Sequence, residues 1–157
     1  MSIDKARAYL AQWGMDGRVI EFETSSATVE LAAQAAGTEP ARIAKTLSFM
    51  IDGVPSLVVC AGDTRIDNRR FKDTFHTKPR MIARDQVEKL VGHGVGGVCP
   101  FGVNEGVRVY LDESLRRFET VFPAAGSSNS AIELTCDELD RVARPAAWVD
   151  ICKDWER

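Results

Sequence analysis

The fold is decided by the stretch KTLSFMIDGVPSLVVCAG, residues 45 to 62. Its first half, KTLSFMI, places Leu47, Phe49 and Ile51 on one face, which is the period of two expected of a half-buried strand. The dipeptide DG that follows is a hairpin signal, and SLVVCAG is typical of a continuous apolar strand. The centre of the chain is therefore predicted to be a β-hairpin.

Helices and further strands are predicted on both sides of this hairpin. Apolar residues recur at helical spacing between residues 2 and 13, where Ser2 is the expected N-cap. Thr135 and Glu138 make a capping box before the last helix. A helix after Asp67 would bring Phe71 and Phe75 together at i, i+4. The other helices are expected at residues 28 to 36 and 83 to 91, and the other strands at 18 to 23, 107 to 112, 120 to 124 and 131 to 135. Strands mostly linked by hairpins, with helices between them, predict an α/β fold of the α+β type with a mixed, largely antiparallel sheet packed by helices.

Length and composition bound the class of protein. A chain of 157 residues fits one domain, residues 1 to 157, and its 45% hydrophobic and 27% charged residues are ordinary for a globular protein. With a net charge of −3, any contact with nucleic acid must come from a local basic patch. No run of about 18 apolar residues predicts a membrane span, and the first residues lack the apolar region of a signal peptide. We therefore expect a cytoplasmic protein without membrane contact.

The cysteines and histidines limit the redox and metal chemistry. The four cysteines, at positions 60, 99, 136 and 152, lie far apart and form no CxxC pair, which favours reduced thiols over a disulfide framework. With only two histidines, no metal site and no cofactor are expected.

Lys45 is the first candidate for a functional residue. It begins an apolar strand, after Ala44 and before Thr46. One interpretation is a lysine at a strand end with its ammonium group in water. The other is a fixed cation that binds a phosphate or a carboxylate at the end of the sheet.

The second candidate is the loop GHGVGGVCPFG, residues 92 to 102. Five glycines in eleven residues let a backbone approach a ligand closely and let N–H groups converge on an anion or on a developing oxyanion. A long structural turn is the alternative, and the spacing fits neither a Walker loop nor a dinucleotide-binding loop. Cys99 lies in this loop with His93 six residues earlier, so a Cys–His nucleophile is a further hypothesis.

Two further segments carry polar or basic side chains. AAGSSNSAIEL, residues 124 to 134, offers small hydroxyl and amide groups before a strand, or forms an ordinary polar turn. Seven basic residues lie between residues 65 and 84, opposed only by Asp67 and Asp73. This local excess could follow a phosphate backbone, or it could be a solvated helix face.

Together these landmarks resemble the YbaK/ProX family of aminoacyl-tRNA deacylases, which is related to the editing domain of bacterial prolyl-tRNA synthetase. The landmarks are AKTLSF, LVVCAGD with RID, GGVCPFG, and AGSSNSAIELT followed by DEL, in this order over nearly the whole chain. The resemblance implies a compact domain with a barrel-like sheet surrounded by helices. It also implies hydrolysis of a mischarged aminoacyl-tRNA, with tRNA(Pro) as the expected tRNA. A ribose hydroxyl or a substrate thiol is expected to assist, without a Ser–His–Asp triad.

The resemblance also implies roles for individual residues. Lys45 is expected to bind the terminal nucleotide and support hydrolysis, and the backbone around Gly96 is expected to hold the aminoacyl ester. The substrate-binding residues expected are Thr46, Gly96, Gly97, Val98, Cys99, Pro100, Gly126, Ser127, Ser128 and Asn129. The candidate tRNA contacts are Arg65, Arg69, Arg70 and Lys72, and an aminoacyl-tRNA synthetase is a second possible partner.

The sequence departs from the family at positions that set amino acid specificity. Cysteine-deacylating members carry an aspartate and a serine where this chain has Ala131 and Ala124. Alanine-editing members tend to have a histidine where this chain has Asn129 and Ser130. Neither specificity transfers, and a non-catalytic module that binds tRNA or an aminoacyl ligand for a partner protein remains the alternative function.

Overall fold

The computed structural model describes residues 2–157, apart from the side chain of Ser2, so the predicted capping role of Ser2 lies outside the described part. The helices are α1 (Ser2–Ala11), α2 (Val29–Ala36), α3 (Asn68–Phe75), α4 (Val87–Val91) and α5 (Cys136–Ala143). The strands are β1 (Val19–Glu21), β2 (Ile43–Ile51), β3 (Val54–Ala61), β4 (Arg65–Ile66), β5 (Arg108–Asp112), β6 (Thr120–Pro123), β7 (Ser130–Ile132), β8 (Leu134–Thr135), β9 (Ala147–Val149) and β10 (Cys152–Lys153). Short 3-10 helices occupy Asp16–Arg18, Pro40–Arg42, Arg84–Gln86 and Glu113–Arg117.

The predicted hairpin forms the centre of a curled, six-stranded half-barrel. Strands β2 and β3 pair antiparallel from Ala44 opposite Ala61 to Ile51 opposite Val54. The strand order is β8-β6-β2-β3-β5-β9, and three of the five strand pairs in it (β2–β6, β3–β5 and β5–β9) are parallel. The mixed α/β fold is therefore confirmed. Parallel pairing is more extensive than the local sequence indicated, because crossover segments rather than hairpins lead to β5, β6 and β9.

Hydrophobic clusters cover both faces of this sheet. On one face Leu57 and Val59 of β3 pack in a large cluster with residues of α1, α4 and α5. On the other, Phe71 and Phe75 of α3 pack against Phe49 of β2, with 5.0 Å between the ring centres of Phe49 and Phe71 and 4.8 Å between those of Phe71 and Phe75. The predicted i, i+4 pairing of the two α3 phenylalanines is confirmed.

The helix ends follow their sequence signals. The Thr28 side chain accepts a hydrogen bond from the Leu31 N–H at the start of α2, and Gly37 ends that helix with a φ of 70°. The capping box of Thr135 and Glu138 is present at the start of α5.

Three element boundaries differ from the prediction. The first helix ends at Ala11 rather than at residue 13, and the helix expected at 83 to 91 begins as the 3-10 turn Arg84–Gln86 before α4. The strand expected at 131 to 135 is split at Glu133, because β7 pairs with β1 whereas β8 pairs with β6. None of the helices in residues 2–157 is long and apolar enough to span a membrane.

Candidate functional site

A cavity opens where strand β2 changes its neighbour. Strand β6 pairs with β2 only at Ile43 and Ala44. Farther along, Ile82 N–H donates to Ser48 O (3.1 Å) and Met50 N–H donates to Arg80 O (2.9 Å). We call residues 78 to 84 the basic strap, since they carry Lys78, Arg80 and Arg84. Between β6 and the strap, no strand of the described chain pairs with this edge of β2 at residues 45 to 47.

The cavity has a volume of about 420 Å³ and joins segments that are far apart in the sequence. Its walls come from the start of α2, from β2, from the strap, from the glycine loop and from the segment 122 to 131. The lining residues are Ser26, Ala27, Thr28, Val29, Ala32, Ile43, Ala44, Lys45, Thr46, Leu47, Ser48, Met81, Ile82, Arg84, Val87, Val95, Gly96, Val98, Phe122, Ala124, Ser130 and Ala131. Three of the sequence landmarks, AKTLSF, GGVCPFG and AGSSNSAIELT, thus contribute to one cavity, whereas LVVCAGD, RID and DEL contribute no lining residue.

Lys45 is a half-buried cation held at the end of the β2–β3 hairpin. Its ammonium group donates to the carbonyl oxygens of Thr64 and of Gly62, the latter at 3.5 Å. The pKa of the nearby Asp63 carboxyl is lowered, chiefly by its hydrogen bond to Arg117 and to a smaller extent by the charge of Lys45. Because two backbone carbonyls fix the ammonium group at the cavity wall, the geometry favours a positioned cation over a freely solvated lysine.

Thr46 lines the cavity and has an unpaired hydroxyl group. Its Oγ1 atom is buried and has no hydrogen-bond partner among the described residues. Burying a hydroxyl without a partner costs free energy, and a ligand in the cavity could supply that partner.

The glycine loop packs on the turn that precedes β7. A Cβ atom on Gly97 would lie 2.6 Å from the carbonyl carbon and 2.7 Å from the carbonyl oxygen of Gly126, so only glycine fits there. The Gly97 N–H donates to Gly94 O (3.0 Å), which closes a turn within the loop. Gly96, with a φ of 93°, and Val98 line the cavity on either side of it. Gly97 and Gly126 therefore support the loop, and Gly96 and Val98 are the members that face the cavity.

The Cys–His nucleophile is not supported by the structure. Cys99 is fully buried and does not line the cavity, and burial raises the pKa of its thiol to about 12. His93 Nε2 lies 3.6 Å from Cys99 Sγ but 2.6 Å from the carbonyl oxygen of Phe101, so this nitrogen must donate to the carbonyl and cannot accept the thiol proton. The expected substrate contacts of Cys99 and of Pro100, which is also buried outside the cavity wall, are therefore corrected to a packing role.

The polar turn before β7 also differs from expectation. Ser127, Ser128 and Asn129 do not line the cavity. Asn129 Nδ2 donates to Phe22 O (3.0 Å) and the Phe22 N–H donates to Asn129 O (2.7 Å), which joins the turn to the segment after β1. The lining positions are instead Ala124, Ser130 and Ala131. Of the four positions that depart from the family pattern, Ala124, Ser130 and Ala131 therefore lie at the cavity wall, whereas Asn129 does not.

The basic residues divide into two groups. Arg65 pairs with Asp154 (2.9 Å) and Arg70 pairs with Asp150 (3.2 Å). Arg69 and Lys72 are exposed on α3 and make no ion pair within the described residues. Arg84, which was not singled out as a ligand contact, lines the cavity.

Sequence reasoning missed the strap and the start of α2 as cavity walls. Their local sequence patterns are those of a connecting loop and a helix cap. Neither pattern indicates that the segment lies beside β2. No group of three or more His, Cys, Asp or Glu residues in the described chain could hold a metal ion.

Comparisons with known proteins agree on one group. Residues 23–142 match the family model described as an aminoacyl-tRNA editing domain. The chain is 52% identical to the uncharacterized protein YwhH of Bacillus subtilis (strain 168), over 99% of this chain and 100% of that protein. It is 30% identical to a proline–tRNA ligase of Leuconostoc citreum (strain KM20), over 64% of this chain and 18% of the ligase. A solved structure described as a candidate trans-editing enzyme for prolyl-tRNA synthetase has a TM-score of 0.87 at 28% identity, over 97% of each chain.

Proposed function

The chain belongs to the aminoacyl-tRNA editing domain family, and we propose that it hydrolyses the ester between a wrongly attached amino acid and a tRNA. The observation that carries this proposal is the cavity of about 420 Å³, which brings Lys45, Thr46 and the glycine loop together. Pockets of this size commonly enclose small ligands. The cavity is suited in size to the terminal nucleoside of a tRNA together with the attached amino acid.

The chemistry of the cavity favours hydrolysis assisted by the substrate. Among the residues that line it, none is an aspartate, glutamate, histidine or cysteine, so Lys45, to which we assign the role of a cation, is the one lining side chain of a usual general-base type. We expect the free hydroxyl of the terminal ribose to orient the attacking water. Water adds to the ester carbonyl carbon, the bond to the ribose oxygen breaks, and that oxygen takes up the proton, which releases the amino acid and an intact tRNA.

Three residues have distinct roles in this proposal. Lys45 binds the terminal nucleotide and offsets negative charge that develops during the attack. The backbone at Gly96 and Val98 binds the ester carbonyl, where a well-placed N–H donor is commonly worth about 3 kcal/mol in the transition state. The Thr46 hydroxyl supplies a hydrogen bond to the bound substrate.

The amino acid side chain is expected to face the wall formed by Ala124, Ser130 and Ala131. This wall carries no charge, and Ala131 is only 3% exposed. A small, uncharged side chain therefore fits it better than an acidic or basic one. The similarity to a proline–tRNA ligase supports tRNA(Pro) as the tRNA, and exposed Arg69 and Lys72 remain candidate contacts to it.

The test is a deacylation panel. tRNA(Pro) charged with each of several small amino acids, and with proline, is incubated with the protein, and release of labelled amino acid is measured. We expect release of at least one wrong amino acid and no release of proline. If no mischarged tRNA is hydrolysed, the proposed activity is wrong. Tight tRNA binding without release would instead indicate the non-catalytic module, which the changes at Ala124 and Ala131 also motivate.

A further inference from the structure

We propose that the basic strap, residues 78 to 84, binds the phosphate backbone of the single-stranded nucleic acid end that enters the cavity. This inference rests on the proposed function, since it takes the occupant of the cavity to be the aminoacylated 3′ end of a tRNA. It assigns the main phosphate contact to the last three residues of the basic cluster, Lys78, Arg80 and Arg84, rather than to the four candidate contacts between residues 65 and 72.

The position of the strap is the first argument. Its backbone is hydrogen-bonded to Ser48 and Met50 of β2, immediately beyond the unpaired edge at residues 45 to 47. Met81 and Arg84 of the strap line the cavity itself. A chain leaving the cavity along this wall must therefore pass over the strap.

The charge state of the strap is the second argument. Lys78, Arg80 and Arg84 are exposed, and none of them makes an ion pair within residues 2–157. By contrast, Arg65 and Arg70 are already paired with Asp154 and Asp150. Unpaired cations bind phosphate without first breaking an ion pair, so the strap is a better phosphate site than Arg65 and Arg70. Arg69 and Lys72 are also unpaired within the described chain, but no residue of α3 lines the cavity, whereas Met81 and Arg84 of the strap do.

The shape of the strap is the third argument. Pro79 restricts the backbone between Lys78 and Arg80, and the hydrogen bonds from the strap to β2 hold the segment in place. Met81 is 59% exposed, which makes it the most exposed of the large hydrophobic side chains in the described chain. An exposed methionine between cations offers apolar surface to the face of a base, while its neighbours contact phosphate.

The test measures binding of uncharged tRNA(Pro) by fluorescence anisotropy over a series of salt concentrations. The variant is Lys78→Ala/Arg80→Ala, which leaves Arg84 at the cavity wall unchanged. We expect its dissociation constant to rise about tenfold at roughly 0.1 M salt, and the slope of log K against log salt to become shallower by about 1 to 2. The matched control is Arg141→Ala/Lys153→Ala, which removes two exposed cations on α5 and β10 and should bind as the wild type does.

A kinetic measurement separates this inference from the activity itself. Hydrolysis of an aminoacyl ester of adenosine, which lacks the phosphate backbone, should be unchanged in Lys78→Ala/Arg80→Ala, whereas KM for the mischarged tRNA should rise about tenfold. If the wild type hydrolyses neither substrate, the proposed function fails while the binding measurement still tests the strap. Wild-type affinity and salt slope in Lys78→Ala/Arg80→Ala would overturn the inference.

Discussion

At the scale of single residues, two neighbours on β2 present different groups to the cavity. The Lys45 ammonium is fixed by two backbone carbonyls, whereas Thr46 Oγ1 has no partner among the described residues. A fixed cation is already in position to bind a negatively charged group of a ligand. An unpaired buried hydroxyl lowers the stability of the empty protein and becomes favourable only when a ligand pairs with it.

Thr46→Val tests this interpretation of the hydroxyl. Valine has nearly the same shape, so the variant should lose substrate affinity without losing stability. We expect kcat/KM for a mischarged tRNA to fall about fivefold, the equivalent of roughly 1 kcal/mol. The melting temperature should stay the same or rise, because an unpaired buried polar group is removed. A clear fall in melting temperature would mean that the hydroxyl stabilises the fold instead.

Cys99→Ala tests the role of the thiol. Because Cys99 is fully buried and its thiol pKa is raised to about 12, the thiolate form is negligible at neutral pH. We expect kcat for deacylation to stay within about twofold of the wild type, with a loss of stability of about 1 kcal/mol from the small cavity left behind. Loss of activity in a variant that folds normally would revive the nucleophile hypothesis.

At the scale of structural elements, the site depends on contact between two loops. Gly97→Ala would force a Cβ atom to 2.6 Å from the Gly126 backbone, so one loop must move. We expect a stability loss of about 1 to 3 kcal/mol and a marked fall in kcat, because Gly96 and Val98 would shift with the loop. Unfolding in urea and single-turnover deacylation measure the two effects.

Gly17→Ala is the matched control for this change. A Cβ atom added at Gly17 would meet no atom within 4 Å, and the residue does not have a positive φ. Its replacement should leave activity unchanged. Equal stability and equal deacylation rates of Gly97→Ala and Gly17→Ala would show that the site does not depend on the contact between the loops.

The start of α5 provides a pH-dependent element. Hydrogen bonds from Arg18 and from the Thr135 backbone lower the pKa of Glu138 to about 2, from 4.5. A carboxyl whose pKa is lower in the folded state stabilises the fold above its unfolded pKa and loses that effect as the pH falls through its folded pKa. Glu138 therefore stabilises the protein above about pH 4.5, and this contribution disappears toward about pH 2.

Glu138→Gln should reveal this contribution. At neutral pH the variant should be about 0.5 kcal/mol less stable than the wild type, a small value because Arg18 is largely exposed to solvent. The difference should shrink as the pH falls from about 4.5 to about 2. Urea unfolding at both ends of this pH range measures the difference in unfolding free energy. Glu156→Gln, at an exposed glutamate, is the control. A difference independent of pH would mean that charge is not its cause.

The elements show which features sequence can predict. The hairpin, the phenylalanine pair of α3 and the capping box of Thr135 and Glu138 were predicted correctly because each depends on residues close in the chain. The split of the strand at Glu133 was not predicted, because its two halves pair with different, distant strands. Local patterns contain no information about which distant strand is the neighbour.

At the scale of the whole molecule, the site exists because a curled sheet leaves one edge of β2 unpaired. Sequence reasoning placed Lys45, Thr46, Gly96 and Val98 at the site, and these residues do line one cavity. It also assigned Cys99, Ser127 and Ser128 to substrate binding, although none of them lines this cavity. Residue type and order can indicate a loop, but only the packed structure determines which side chains of the loop face the cavity.

The most direct test of the central claim is deacylation by Lys45→Ala. With the best substrate from the panel, we predict that single-turnover hydrolysis slows by about 100-fold, because the fixed cation of the cavity is lost. The melting temperature should change little, and Lys153→Ala, at an exposed position on β10, should retain near-normal single-turnover hydrolysis. Hydrolysis at the wild-type rate by a folded Lys45→Ala protein would contradict the assignment of the cavity as the site of ester cleavage.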